Sequence, residues 1–400
     1  MEPALVVIGL NHRTAPIEVR ERFWMSPARQ DEALTTLAQS EGIEEAFVFS
    51  TCNRTEFVVW GDPTLTENSV LRLLAAQYDL RLCEWGNFYR LLDEQAVAHA
   101  FRVSCGLDSM SLGEGQIGRE VNAAWQRAKT AGCTGPYLDA LLRKALAVRR
   151  IVRRQTTTGF NLQSASQAAI EVAGTIFGSF ARLTVVVLGA GSVGRTAAQA
   201  LCDRGVESAF ILSRTDERSD ALSRRLGIRM APFAERYSLL GSADLVISAT
   251  GAGEFILTAE GMERSTATRA GRKQVIMDLA LPRDVDPRVG QITGILLYNL
   301  DDLERSLQPR AGASAAESEA ERIVLAEVQQ FGKDIAVDEK NSEIADLQHR
   351  LDEICRQELE SIRQEHGPFP KDQDQIIMAV SSRITHRIAG SLARQLRTRP

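Results

Sequence analysis

The spacing of apolar residues changes twice along this chain, and each change predicts a different kind of architecture. In the first part, short apolar runs alternate with helical patterns. Residues 5–10 read as a strand, 11–16 as a polar loop, and a charged helix starts near Ile17. Ser26 followed by Pro27 supplies an N-cap and a first-turn proline, so a second helix is predicted over 26–40. Strands over 45–50 and 56–60, a helix over 65–82, a short strand over 88–91 and a helix over 95–103 follow. Strands and helices mixed in this way predict an α+β domain, placed at 1–155.

In the second part, β-branched strands alternate with helices. Strands at 183–188, 208–212, 245–248, 275–279 and 295–298 predict a Rossmann-type doubly wound α/β domain over 156–308. The third part, 309–400, is α-helical. A small-residue stretch, 311–316, opens a long helix on which Ile344, Leu347, Leu351 and Ile354 keep 3–4 spacing. The run from His366 through Gly367, Pro368 and Phe369 to Pro370 breaks it, and Val380, Ile384, Ile388, Leu392 and Leu396 share one face of a final helix. Narrow apolar seams with charged backs predict an oligomerisation arm. No repeat of solenoid or propeller period is visible.

Composition narrows the class. The 400 residues suffice for about two or three domains, and 44% hydrophobic with 25% charged residues is the balance of a soluble globular chain. No apolar run approaches the roughly 18 residues of a membrane span, and the chain opens on a strand without a basic leader or cleavage site. Six cysteines, at 52, 83, 105, 133, 202 and 355, form no CxxC and no Cys/His cluster. That argues against a metal site or a disulfide framework and favours a reducing cytoplasm. A net charge of −5 does not advertise nucleic-acid binding. Arg143, Lys144, Arg149, Arg150, Arg153 and Arg154 nevertheless gather on one predicted helix, either as a solvated face or as a contact for a phosphate backbone.

Two stretches carry candidate chemistry. The strands at 45–50 and 56–60 are interrupted by Ser50, Thr51, Cys52, Asn53 and Arg54, where packing alone gives no reason for polar groups. A thiol there is a nucleophile once ionised, and Arg54 is a cation two residues away. A lone cysteine is otherwise a small buried hydrophobe. His99, among apolar neighbours, reads as a core histidine or as an acid/base group. The glycine-rich segment 106–117 reads as a site-shaping loop, or as a connection in which Asp108 or Ser109 caps the next helix.

The second stretch is the most specific. A strand runs into Gly189, Ala190, Gly191, Ser192, Val193 and Gly194, a GxGxxG that opens an Ala-rich helix. Gly189 suits the tight turn, Gly191 lets the backbone approach a pyrophosphate, and Gly194 permits close packing of helix on strand. At the end of the next strand, where an NAD site carries a carboxylate, stand Ser213, Arg214 and Thr215. Arg214 pairs with a 2′-phosphate that a carboxylate would repel, so NADPH is expected rather than NADH. Residues 250–253, at the carboxyl end of their strand, should lie along the cofactor crevice.

A redox cofactor domain joined to an activated-cysteine candidate suggests thioester chemistry. With the runs at 9–16, 50–54, 106–109, 113–117, 189–194 and 278–284, the chain resembles the glutamyl-tRNA reductase family over nearly its whole length. The resemblance implies a V-shaped homodimer of three-domain chains along a spinal helix. It implies reduction of glutamyl-tRNA(Glu) to glutamate-1-semialdehyde, the first step of the five-carbon route to 5-aminolevulinate and porphyrins. Cys52 would be the nucleophile and His99 its assistant, while Thr51, Asn53, Arg54, Ser109, Glu114, Gly115, Gln116 and Glu120 would bind the glutamyl group. Glu120 stands where the family commonly has Gln, and the family's usual final-helix run is replaced by one ending at Gly390. Arg54 would take the glutamate carboxylate bidentately. The resemblance also makes the next pathway enzyme, glutamate-1-semialdehyde aminomutase, a candidate partner. Two rivals make different predictions: a dehydrogenase of free acyl substrates turns over without tRNA, and a non-catalytic NADP sensor is indifferent to loss of Cys52. In either enzyme the thiol and nicotinamide come from separate domains, so closure is expected to bring them within about 3–3.5 Å of reaction.

Overall fold

The structure is a computed structural model that describes residues 2–108, 117–156, 165–214, 216–267, 269, 271–306, 313–367 and 369–398. It divides into two compact units, Met1–Ala326 and Glu327–Pro400. The first unit contains both predicted sheets.

The amino-terminal sheet has four antiparallel strands, β1 (Ala4–Asn11), β2 (Ile43–Ser50), β3 (Arg54–Gly61) and β4 (Tyr89–Leu92), in the order β2-β3-β1-β4. β1 is almost wholly buried and β2 is buried from Glu45 to Phe49, which is why each carries a continuous apolar run rather than an alternation. The hairpin register, Val48 opposite Phe57 and Ser50 opposite Thr55, confines the turn to four residues, Thr51 to Arg54. Thr51 N donates to Arg54 O at 2.8 Å, closing that turn. The helix Pro27–Ala38 begins as expected, with Ser26 Oγ accepting from Arg29 N and proline in the first turn. Helices Ile117–Thr130 and Pro136–Gln155 cover the sheet, and the carboxylate of Glu45 accepts the backbone N–H groups of Gly135, Tyr137 and Leu138 at the start of the latter.

The second sheet is parallel throughout: β5 (Thr184–Leu188), β6 (Ser208–Leu212), β7 (Arg229–Met230), β8 (Leu245–Ser248), β9 (Gln274–Asp278) and β10 (Ile295–Tyr298), in the order β10-β9-β8-β5-β6-β7. The order reverses at β5, so a crevice opens at the carboxyl ends of β5 and β8. Apolar clusters pack on both faces of the sheet, as a doubly wound architecture requires.

The short helix Ile17–Phe23 docks the amino-terminal sheet domain on the second one. Ile17 belongs to the apolar cluster under the parallel sheet, and its N–H donates to Asp301 Oδ2 at 3.0 Å. Arg20, fully buried, reaches Asp301 at 2.7 Å, and Arg283 pairs with Glu18 and Glu21. The two sheets therefore share one compact unit.

The helix Ala313–His366 is unbroken, and in the carboxy-terminal unit Lys371–Thr398 folds back along it. Thr385 donates to Asp352 at 2.6 Å and Gln348 meets His386 at 2.8 Å. Ile354, Val380, Ile384 and Ile388 stay about half exposed on this pair. Among the described residues, no helix is long and apolar enough to cross a membrane, and no cluster of His, Cys, Asp and Glu suited to a metal occurs.

Candidate active site

Cys52 sits at the tip of the β2–β3 hairpin, half-buried and not in a disulfide. Its turn is held from both sides: Asn53 N donates to Thr51 Oγ1 at 3.2 Å, and His12 N to Asn53 O at 3.0 Å. A cavity of about 340 Å³ opens in front of it. The hairpin lines it with Phe49, Ser50, Thr51 and Cys52, the link between the first two helices with Trp24 and Met25, the second helix with Pro27 and Gln30, and the helix Ile117–Thr130 with Glu120, Ala123 and Arg127. The remaining wall is the Rossmann crevice: Val193 of the glycine loop, Ala249 and Thr250 after β8, and Leu279, Ala280 and Leu281 after β9. One cavity thus joins the thiol to the carboxyl edge of the parallel sheet.

Arg54 does not line this cavity. Its side chain is completely buried, with Nη1 donating to Glu56 Oε1 at 2.8 Å and to Asp108 Oδ2 at 2.9 Å, and Nη2 to Asp108 O. Burial works against its charge, but Glu56, with Tyr89 and Asp108, outweighs it and holds the guanidinium above the usual range. The fork expected on a substrate carboxylate is taken by two internal carboxylates, and the cation expected to favour a thiolate is balanced by them. Asp108, in turn, also accepts from Asn11 Nδ2 at 3.3 Å and pairs with Arg13 at 2.9 Å.

His99 belongs to the same network. Its Nε2 lies 2.8 Å from Glu56 Oε1, the same oxygen to which Arg54 Nη1 donates, and 3.4 Å from Tyr89 Oη. Burial disfavours the Glu56 anion, yet His99 and then Arg54 hold it well below the usual carboxylate range. His99 is therefore not packed in an apolar core; it does not line the Cys52 cavity and is linked to the hairpin through Glu56 and Arg54. Asn53 is buried and is not among the residues lining the cavity. Ser109, Glu114, Gly115, Gln116 and Thr215 lie outside the described residues.

The glycine loop has the geometry its sequence predicts. Gly189 adopts φ +104°, and a Cβ there would stand 2.3 Å from Ala249 O; at Gly194 it would stand 1.9 Å from Gly189 O. At Gly191, by contrast, a Cβ would meet nothing within 4 Å, so open space faces the first turn of the helix Ser192–Asp203. A backbone cradle at a helix N-terminus fits a pyrophosphate. Arg214 is exposed at the end of β6, beside Ser213. Behind the loop, Asp284 accepts from Ser248 Oγ at 2.7 Å and from Thr250 N at 2.8 Å, tying the β8 edge to the turn after β9. Burial, and then Asp284, push the Asp278 carboxyl up to about 8.

The comparisons agree with this geometry from end to end. The glutamyl-tRNAGlu reductase N-terminal domain family matches residues 8–156, and the corresponding dimerisation domain family residues 319–399; shikimate/quinate 5-dehydrogenase matches 171–306. Glutamyl-tRNA reductase 2 of Koribacter versatilis (strain Ellin345) is 34% identical over 98% of this chain and 90% of its own length. The chain belongs to the glutamyl-tRNA reductase family. A second relative, from Marinobacter nauticus, is 37% identical over 82% of this chain and 77% of its own. The solved glutamyl-tRNA reductase from Methanopyrus kandleri aligns at a TM-score of 0.52 and 26% identity, covering 98% of this chain and 94% of that one.

Seen as a member of that oxidoreductase family, the chain brings Thr51, Cys52, Glu120 and Val193 to one cavity. Sequence reasoning passed over Trp24, Gln30 and Arg127. Glu120, Ala123 and Arg127 recur at helical spacing, which is the available signal, but a polar helix face reads as solvent-facing until its neighbour is known.

Proposed function

We propose that this chain reduces the glutamyl ester of tRNA(Glu) to glutamate-1-semialdehyde with NADPH, using Cys52 as nucleophile. The observation that carries the reading is the shared cavity, in which the hairpin thiol and the loops after β5, β8 and β9 face one another. The Cys52 thiolate adds to the ester carbonyl and the tRNA hydroxyl leaves with a proton, forming a thioester. NADPH would be held along Gly189–Gly194, with Ser213, Arg214 and Thr215 taking its 2′-phosphate, and would supply the hydride. As the aldehyde forms, the C–S bond breaks and the thiolate is regenerated.

The chain's own residues do the rest. Thr51 and Glu120 line the acyl cavity, Asn53 and Arg54 fix the hairpin from behind, and His99 positions Glu56 and hence Arg54. Arg127 is the basic residue on the cavity wall, with one Nη held by Gln30 Oε1 at 2.5 Å. Ser109, Glu114, Gly115 and Gln116 complete the substrate set by family resemblance. In the same reading residues 1–155, 156–308 and 309–400 serve catalysis, cofactor binding and homodimerisation. The enzyme works in the cytoplasm, where a nucleophilic thiol stays reduced, and its aldehyde product passes to the aminomutase.

Incubation with charged glutamyl-tRNA and NADPH, followed by assay of the semialdehyde, tests the proposal. Cys52→Ser should abolish turnover and leave NADPH binding unchanged, because a hydroxyl is a far poorer nucleophile near neutral pH. Near-normal activity of the variant, or equal turnover of a free glutamyl ester without tRNA, would overturn it.

A further inference from the structure

Next to the Cys52 cavity lies a second one, of about 370 Å³, which the chemistry described so far does not use. Its walls are the outer face of the dinucleotide helix from Ser192 to Asp203, the end of the neighbouring helix at Arg225, and Arg119 of the helix Ile117–Thr130. The two cavities adjoin twice over. Glu120 and Val193 line the first, and the residues immediately before them, Arg119 and Ser192, line the second.

Three exposed arginines, Arg119, Arg195 and Arg225, line this groove against a single carboxylate, Asp203, which accepts from Gln199 Nε2 at 2.9 Å. None of the three makes an ion pair with a described residue. Arg224, Arg264, Arg305 and Arg322, equally exposed, each pair with a carboxylate. The helix beneath the groove has 12 residues, so the groove follows a surface of roughly 18 Å. It is basic and polar along its length, as a polyanion rather than an apolar partner requires.

We infer that this groove carries the phosphates of the substrate RNA next to its esterified end. The inference rests on the proposed reading of Cys52 and the glutamyl ester. If the ester carbonyl reaches the thiol, the RNA strand attached to it must leave the cavity across the rim, and the Arg119/Ser192 rim opens directly onto three arginines. The basic helix at 143–154, the patch visible in the sequence, offers fewer: Arg149 is buried and donates to Ser104 O at 2.8 Å, and Lys144, Arg153 and Arg154 have partners of their own, which leaves Arg143 and Arg150 exposed on it.

The test is binding of labelled, uncharged tRNA(Glu) by the full chain across a salt titration. It compares the parent with the triple variant Arg119→Glu, Arg195→Glu, Arg225→Glu, with the charge-neutral triple Gln variant, and with a control triple at Arg264, Arg305 and Arg322. The Glu triple should weaken binding at least tenfold and lower the slope of log K against log salt by about 2–3, from three lost phosphate contacts. The Gln triple should show the same loss of slope, and the control and all NADPH affinities should be unchanged. Parent-like affinity and slope in both groove triples, no tRNA binding by the parent, or an equal effect of the control would overturn the inference. Should the parent fail to reduce glutamyl-tRNA while binding tRNA through these arginines, the groove stands and the reading of Cys52 falls.

Discussion

Arg283, in the turn after β9, grips Glu21 of the short helix Ile17–Phe23 with a two-point fork, Nε to Oε2 at 2.9 Å and Nη2 to Oε1 at 2.7 Å. Its third contact is Glu18 at 3.0 Å. The pair fastens the domain that carries Cys52 to the turn that lines the Rossmann side of its cavity, Leu279 to Leu281.

Replacing Arg283 with Gln should therefore act on geometry as well as on stability. Glu21 is left partly buried without its cation, a loss of about 1–3 kcal/mol. Thermal unfolding should move down by several degrees. Turnover should fall further than NADPH affinity, because the cofactor loop is intact while the thiol loses its fixed distance from it. Unchanged kcat with a lowered melting temperature would mean that the fork is purely structural.

The two glycines that look alike in the motif should behave differently. Gly194→Ala drives a Cβ into Gly189 O, a backbone atom that cannot swing aside, and should cost about 2–4 kcal/mol and the cofactor site with it. Gly191→Ala meets open space at an ordinary φ of −69° and should fold like the parent. Its added methyl nevertheless fills the room expected for the pyrophosphate, so NADPH affinity should drop sharply at unchanged melting temperature. Calorimetric titration of both variants checks the contrast.

Cofactor choice turns on Arg214. In Arg214→Asp a phosphate partner becomes a repelling charge, so the preference for NADPH over NADH should shrink by roughly 2–4 kcal/mol, about 30- to 800-fold in the ratio of kcat/KM. Equal kcat/KM for the two cofactors in the parent would refute the assignment of this strand end.

Asp278 should leave a mark on the pH dependence of stability. Its folded-state value of about 8 lies above the ordinary 3.8, so the folded chain holds a proton that the unfolded chain has lost between those values. The contribution is fully present below about pH 4 and is lost as pH rises to about 8, by at most roughly 1.4 kcal/mol per pH unit. Asp278→Asn should flatten this slope in denaturant titrations between pH 5 and 8. An identical slope in the variant would place the proton elsewhere.

Much of this was legible in the sequence alone. Continuous apolar runs marked β1 and β2, Ser26-Pro27 marked its helix, and the glycine loop with its flanking strand announced the parallel sheet, because each signal is local: backbone sterics, capping and burial act within a few residues. The polar break around Cys52 was equally visible. Which polar residues face one another was not. Arg54 points inward to Glu56 and Asp108, His99 joins that network instead of an apolar core, and Arg149 is buried, while Arg119, Arg195 and Arg225 share a groove despite lying up to 106 positions apart. A side chain's charge and length are written in the sequence, but its partner is chosen by packing of elements distant along the chain. Here the docking of the helix Ile17–Phe23 on the parallel sheet made that choice, bringing a hairpin thiol and a cofactor crevice to one cavity.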